Sequence, residues 1–244
     1  MKIKVSLSLV FSSTVFLILL RPANAWSFDA SALNRSDVNA FDRISMFPFS
    51  EPLDVTSQIF TYASLLTPAV LVATPKSEWV SIGIMYAESV ILTFGIKEAG
   101  KLLINRNRPY MYFDDYPQNK IDNGDYKQSM PSGHSALAFT GATFTTFMFN
   151  QYFPDSKWTI PVIAGSYTLA TTAALLRNTS GNHFITDIVT GASIGAFSGF
   201  IVPWLHTLNF AKPRKAKNQT ETQSEISNVT FGIIPSGFTV RIGF

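Results

Sequence analysis

Residues 131–153, PSGHSALAFTGATFTTFMFNQYF, join a polar tetrapeptide to a long run without Asp, Glu, Lys or Arg. The run has the length of roughly 20 residues that a helix needs to cross a bilayer. Ser132 is a favourable N-cap residue, because its hydroxyl can accept a hydrogen bond from a free backbone N–H of the first helical turn. The stretch therefore predicts a membrane helix that begins beside a cluster of polar groups.

The same pattern, an apolar run bounded by polar residues, recurs along the chain. Hydrophobic residues make up 46% of the sequence and charged residues only 14%, whereas charged residues form roughly 25% of a soluble protein. We therefore predict an all-α, multi-span transmembrane helical bundle; a large buried all-helical core is the alternative. The predicted spans are residues 55–75, 79–104, 132–153, 158–176 and 183–205. Glu88 lies inside the second span, where a charge is costly unless it is paired or faces a cavity, so it could contact another helix, a buried cation or a polar group.

The N-terminal residues resemble an export signal. Residues 1–25 combine two lysines, an apolar stretch and the small-residue sequence Ala23-Asn24-Ala25, which is typical of a cleaved signal peptide; an uncleaved N-terminal anchor is the alternative. Residues 26–54 form an exported segment. Within it, residues 34–45 have apolar positions on one side of a helix, so we expect an amphipathic helix that lies on the bilayer or caps the bundle.

The C-terminal residues differ from the bundle at 55–205. The tail at 206–244 begins with a basic run at 212–217, continues as a polar linker, and ends in alternating residues around Pro235-Ser236-Gly237. This last part predicts a β-hairpin. The positive-inside rule places the basic run in the cytoplasm. All the polar clusters then face the periplasm or exterior of a bacterial inner (cytoplasmic) membrane.

Two cations lie at and just after the end of the second predicted span. Lys101 and Arg108 are seven residues apart, so they would share a face if the helix continued. Pro109 disfavours helical geometry at Arg108, and we expect the chain to bend there toward the site. Two cations at one helix mouth suit a dianionic phosphate. Long cationic side chains that reach the membrane interface are the structural alternative.

The tetrapeptide adds an anion site and a proton donor. Free N–H groups at a helix start attract phosphate, and Gly133 lets an anion approach the backbone closely. His134 lies in the same turn and is placed to give or take a proton.

A third cluster, RNTSGNHFITD at 177–187, precedes the last span. His183 and Asp187 are four residues apart, on one face of a helix. The carboxylate would then accept the Nδ1 proton and leave Nε2 as a nucleophile. A structural hydrogen bond is the alternative. A metal site is not expected, because few further His, Cys or acidic ligands are suitably spaced.

Together the patterns K-x6-RP (101–109), PSGH (131–134) and R-x5-H-x3-D (177–187) resemble those of the type 2 phosphatidic acid phosphatase (PAP2) superfamily, in its membrane-bound bacterial lipid phosphatase branch. The resemblance covers 101–187 by motif and 55–205 by helix pattern. It implies a helical bundle that hydrolyses phosphate esters through a phosphohistidine, with no metal or other cofactor.

The resemblance also implies a role for each residue. His183 would be the nucleophile, Asp187 its orienting partner and His134 the acid that protonates the leaving oxygen. The implied phosphate ligands are Lys101, Arg108, Ser132, Gly133 and Arg177. Leu176 departs from the family pattern, which usually has Ser before the arginine. We expect this difference to alter substrate preference and not to abolish the reaction.

The substrate class implied is a phosphorylated membrane lipid: phosphatidic acid, phosphatidylglycerol phosphate, polyprenyl diphosphate or lipid A. The bilayer is the expected partner, with no nucleic acid, since the net charge is only +3, and no protein partner. A soluble exported acid phosphatase, a lipid phosphotransferase, a vanadate-dependent haloperoxidase and a non-catalytic protein are the alternatives. The long segment at 110–130 is interpreted as a lid, a headgroup-binding surface or an inert acidic loop.

Overall fold

A computed structural model describes residues 33–210, 229–234 and 237–242. The predicted signal at 1–25 and the basic run at 212–217 lie outside the described residues. The α-helices are α1 (Ala40–Arg43), α2 (Glu51–Leu65), α3 (Trp79–Ile104), α4 (Gln118–Asp122), α5 (Gly133–Tyr152), α6 (Thr159–Thr179) and α7 (Ile185–Phe210). Short 3₁₀ helices lie at Arg35–Asp37, Thr67–Ala73, Lys76–Glu78, Pro109–Tyr112 and Asp125–Lys127.

The other long helices of the bundle surround helix α5. Four segments of the described chain are long and apolar enough to cross a membrane: Glu51–Ala73, Lys76–Tyr112, Thr159–Thr179 and Ile185–Leu208. Helix α5, the predicted third span, is not one of them, because Thr, Ser and Gly dilute its apolar residues. It packs against α2, α3, α6 and α7, and twelve of its 20 residues are buried. The chain is thus a multi-pass membrane bundle in which the other helices shield α5 from lipid.

Among the differences between the helices and the predicted spans, two concern the end of α2 and the start of α7. Residues 55–75 were expected as one helix, but α2 ends at Leu65 and the chain continues as the 3₁₀ helix Thr67–Ala73. Pro68 explains the break, because proline has no N–H to donate and clashes with the preceding helical turn. Helix α7 begins at Ile185, so His183 precedes it. Helix α3 has the predicted bounds.

Helices α5 and α7 touch through backbone atoms. Gly191, Gly195 and Gly199 lie on one face of α7, and a Cβ at Gly195 would overlap the carbonyl oxygen of Ala136. Small residues allow membrane helices this close approach. The contact aligns the starts of the two helices, where the Ser132 N–H donates to the Asp187 carbonyl oxygen at 3.0 Å.

The N-terminal segment is not the amphipathic helix predicted for residues 34–45. It forms the 3₁₀ helix Arg35–Asp37 and the single turn α1, and the side chains of Asn34 and Asn39 each cap one of them. Because each cap starts a new helix, one continuous helix cannot form. Phe41 and Ile44 are exposed, while Asp42 is buried. The segment packs on the bundle through Asp42, which contacts Thr186.

The segment at 110–130 is ordered and partly helical. Tyr110, Met111 and Tyr126 are buried together, so these side chains pack inside the protein. The Arg108 N–H donates to the Tyr126 carbonyl oxygen at 2.8 Å, and the Tyr110 N–H donates to that of Gly181 at 3.0 Å. These bonds hold the segment against the end of the bundle.

The tail contains the predicted hairpin strands. Strands β1 (Val229–Ile234) and β2 (Gly237–Ile242) pair in antiparallel register, with Val229 opposite Ile242. Among the described residues, the hairpin strands belong to one unit and the helices at 33–210 to another.

Candidate active site

All three polar clusters meet at one end of the bundle. Backbone hydrogen bonds from Tyr110 to Gly181 and from Ser132 to Asp187 join the chain after α3, the start of α5, and the turn and first residues of α7. Arg108 reaches that turn, where its Nη1 donates to the Asn182 carbonyl oxygen at 3.0 Å and lies 3.2 Å from His183 Nε2. The structure thus brings residues from all three clusters together.

His183 is held in the tautomer whose Nε2 keeps a lone pair. Its Nδ1 lies 2.7 Å from the backbone carbonyl oxygen of Ser129. A carbonyl oxygen only accepts, so Nδ1 carries the proton and Nε2 keeps a lone pair. That lone pair faces Arg108, a donor that a bound phosphate would also meet.

The predicted hydrogen bond from His183 to Asp187 is wrong. His183 Nδ1 is 3.8 Å from the nearer carboxylate oxygen. The prediction assumed that both residues share a helical face, but His183 lies before the first turn of α7. Asp187 acts on the histidine indirectly, because its Oδ2 accepts from the Ser129 hydroxyl at 2.5 Å and from the Phe184 N–H at 2.9 Å.

His183 stays neutral in this environment. It is 1% exposed. Burial and the neighbouring charges of Arg108, Arg177 and Lys101 hold the pKa of His183 well below its ordinary value, and a protonated His134 would lower it further. A neutral imidazole is the form that can act as a nucleophile.

Each arginine predicted as a phosphate ligand is paired with an acid from outside the motifs. Arg108 donates from Nη2 to Asp125 Oδ1 at 2.7 Å, and although burial opposes ionisation, Arg108 keeps the pKa of Asp125 below its usual range. Arg177 donates from Nη1 to the carboxylate of Asp54 and lies 3.3 Å from the Ser57 hydroxyl. Ser57 thus supplies Arg177 with a hydroxyl contact in a chain that has Leu176 in place of the family's usual serine.

Of the remaining predicted ligands, Ser132 and Gly133 form the start of α5, and Lys101 lies in the last turn of α3. Ser132 is fully buried and caps the helix, since its hydroxyl accepts from the Ser135 N–H at 3.4 Å. Gly133 packs on Lys97, whose Cδ would lie 3.1 Å from an added Cβ. His134 lies in the first turn of α5.

Sequence analysis missed a second layer of charged residues. Arg106 donates to Asp187 Oδ1 at 2.6 Å and to Asp42 Oδ2 at 2.7 Å. Burial disfavours a charge on Asp42, but hydrogen bonds from Thr186 and Arg106 lower the pKa of Asp42. Lys120 donates to Asp54 at 3.1 Å. The sequence could have indicated Arg106 by its position two residues before Arg108. No sequence pattern pointed to the isolated acids Asp42 and Asp54.

Comparison with known proteins identifies the family. A model of the PAP2 superfamily matches residues 82–211, just over half of the chain. A lipid A 1-phosphatase of Porphyromonas gingivalis is 30% identical over 138 residues, 57% of this chain and 27% of that protein. The chain thus spans about a quarter of the length of this curated relative.

Two solved structures are also similar. LpxE from Aquifex aeolicus shares 23% identity with a TM-score of 0.47, and the match covers 67% of this chain and 92% of that one. A transmembrane PAP2 type phosphatidylglycerolphosphate phosphatase from Bacillus subtilis shares 20% identity with a TM-score of 0.45, covering 84% and 98%. Because the family model matches more than half of the sequence and its motifs meet in one site, the chain belongs to the PAP2 superfamily.

Proposed function

We propose that the chain is a lipid phosphatase that hydrolyses phosphate monoester or diphosphate groups of membrane lipids, with His183 as nucleophile. The observation that carries the proposal is the state of His183: buried, neutral, and with Nε2 directed at Arg108. An imidazole lone pair beside guanidinium groups suits attack on a phosphorus atom whose oxygens those groups neutralise.

The reaction would proceed in two displacements. Nε2 of His183 bonds to phosphorus while the bond from phosphorus to the lipid oxygen breaks, and the imidazolium form of His134, which the negative charge of the bound phosphate would favour, gives a proton to that oxygen and becomes neutral. A water molecule then attacks the phosphohistidine, His134 takes a proton from the water, and inorganic phosphate leaves. Lys101, Arg108, Arg177 and the backbone at Ser132–Gly133 would stabilise the charge on the phosphate oxygens. Asp187, acting through Ser129, would keep the imidazole oriented.

The membrane setting favours a lipid over a soluble ester. The site lies at the end of four helices able to cross a bilayer, so a substrate anchored in the membrane can reach it directly. Lipid A 1-phosphate is the first candidate, because the P. gingivalis relative is a lipid A 1-phosphatase. Phosphatidic acid, phosphatidylglycerol phosphate and polyprenyl diphosphate complete the panel. By the positive-inside argument, the site faces the periplasm or exterior.

Release of inorganic phosphate from this panel, by protein purified in detergent, tests the proposal. His183→Ala should lower the rate by at least about 10³-fold, since loss of a nucleophile removes the main reaction path. His206→Gln is the matched control, because it changes a histidine remote from the site and should retain activity. Phosphate release by His183→Ala at the normal rate would refute the histidine mechanism. A soluble ester hydrolysed far faster than every lipid would refute the substrate class.

A further inference from the structure

We propose that Asp54 is a positioning residue that fixes Arg177 and Lys120 for phosphate binding. Asp54 lies in the first turn of α2, more than 40 residues before the first motif. The inference rests on the proposed function, because it concerns how the same site binds the substrate's phosphate.

The carboxylate of Asp54 joins four parts of the bundle. Its Oδ1 accepts from Arg177 Nη1 on α6 and from Asn182 Nδ2 at 3.3 Å. Its Oδ2 accepts from Lys120 Nζ on α4 at 3.1 Å. Asp54 is only 8% exposed, so water competes little for these contacts. A buried carboxylate with three donors is held in one orientation and holds its partners likewise.

The contact to Arg177 leaves part of the guanidinium available. Arg177 is 3% exposed, and its Nη1 is the atom directed at Asp54 and Ser57. Its Nε is buried and has no hydrogen-bond partner within residues 33–210. A buried donor without an acceptor costs about 1–3 kcal/mol, a cost that an incoming acceptor removes. Nε and Nη2 form the edge of arginine that binds phosphate with two parallel hydrogen bonds.

Lys120 connects Asp54 to segment 110–130. Its amine donates to Asn182 Oδ1 at 2.8 Å and lies 4.4 Å from the centre of the Phe49 ring. Asp54 thus offsets the repulsion between two cations, Lys120 and Arg177, that would otherwise push each other apart. With Asp54 in place, Arg177 presents its Nε edge and segment 110–130 stays closed on the turn before α7.

A role for Asp54 as a competitor of the substrate predicts the opposite change in phosphate affinity. If the carboxylate competed with substrate for Arg177, its removal would tighten phosphate binding. If it positions Arg177, its removal weakens phosphate binding and leaves the chemical step nearly intact.

The experiment compares Asp54→Asn and Asp54→Glu with Asp115→Asn, a matched change at an exposed site in segment 110–130. Orthophosphate binding is measured directly by calorimetry, and KM, kcat and the inhibition constant of orthophosphate by lipid turnover. For Asp54→Asn we expect orthophosphate affinity to fall about tenfold or more and KM to rise by a similar factor, with kcat changing less than about threefold. Asp54→Glu should recover part of the affinity, and Asp115→Asn should match the unmodified protein.

Two results would overturn the inference: orthophosphate affinity that is unchanged or higher in folded Asp54→Asn, or a loss of kcat without a change in KM. Size-exclusion profiles and circular dichroism identify the folded fraction to which each constant refers. If no lipid is hydrolysed, the proposed function fails, while the calorimetric comparison of orthophosphate still decides the role of Asp54.

Discussion

A histidine and an acid lie in contact range near each end of α7, but the surroundings of the two pairs differ: His183 and Asp187 are at its start, and His206, near its end, meets Glu88 of α3. At the first end, Asp187 accepts from Arg106, Ser129 and the Phe184 backbone, and Ser129 in turn contacts His183. Nineteen residues later, about 28 Å along the helix, His206 and Glu88 form one contact of 2.7 Å. Several donors on one carboxylate define its orientation, whereas a single contact only links two helices. The start of α7, called here the network end, therefore holds its side chains in the fixed orientation that catalysis requires. The single contact near the other end suits helix association.

Breaking the network end should have the largest effect. Arg106→Ala leaves the carboxylates of Asp42 and Asp187 without their shared cation, and loss of one partner from a buried pair costs about 3–5 kcal/mol. Since Asp187 positions His183 through Ser129, we also expect phosphate release to fall on the order of 10²-fold. Chemical unfolding and phosphate release measure the two effects.

Arg35→Ala is the control for Arg106→Ala, because it removes an exposed arginine that contacts the Tyr112 carbonyl oxygen; it should change stability by less than about 1 kcal/mol. Arg106→Lys keeps the charge but not the planar fork that reaches both acids, so it should lie between the two. Normal activity in folded Arg106→Ala would show that the network is not needed to orient His183.

The middle of α7 sets the distance between that helix and α5, so a change there should affect folding more than chemistry. Gly195→Ala places a methyl group against the carbonyl oxygen of Ala136, and overpacking of this kind costs about 1–3 kcal/mol. Gly165→Ala on α6 is the matched control, because an added Cβ there has no atom within 4 Å among the described residues. It should be neutral or stabilising by up to about 1 kcal/mol.

Unfolding in detergent, followed by loss of helical circular dichroism, measures both glycine variants. Equal stability of the two would mean that α5 and α7 do not approach as closely as described. Folded Gly195→Ala with unchanged KM but lower kcat would indicate that the helix distance also controls the position of His183.

The local parts of this arrangement were predictable from sequence. The bounds of α3, the capping of α5 by Ser132 and a partner for Glu88 followed from charge spacing, N-cap chemistry and the cost of a charge in the membrane. The gathering of the motifs at one end followed from counting spans. Each of these depends on neighbours along the chain or on the length of a helix.

The second layer of the site was not predictable by the same means. Asp54 and Arg177 are 123 residues apart, and their contact depends on how α2 is rotated against α6, which no local pattern records. The contact between His183 and the Ser129 carbonyl involves a backbone atom that every residue type possesses. Asp187 does lie near His183, as predicted, but the predicted hydrogen bond between them is wrong. The exact start of α7 decides which atoms meet, and the sequence does not fix that start.

The far end offers the smallest expected effect and the sharpest test of the comparison. Glu88→Leu or His206→Leu alone leaves a half-buried polar partner unpaired. Each should lower the free energy of unfolding by about 1–2 kcal/mol. The double variant Glu88→Leu/His206→Leu removes both groups and should recover most of that loss, giving a coupling energy measurable in a double-mutant cycle. Phosphate release per folded molecule should stay within about twofold in all three, since a single link between α3 and α7 does not orient His183. A fall in kcat that tracks the broken pair and returns in the double variant would instead mean that the two ends of α7 are coupled, and that the isolated pair helps to set the position of the nucleophile.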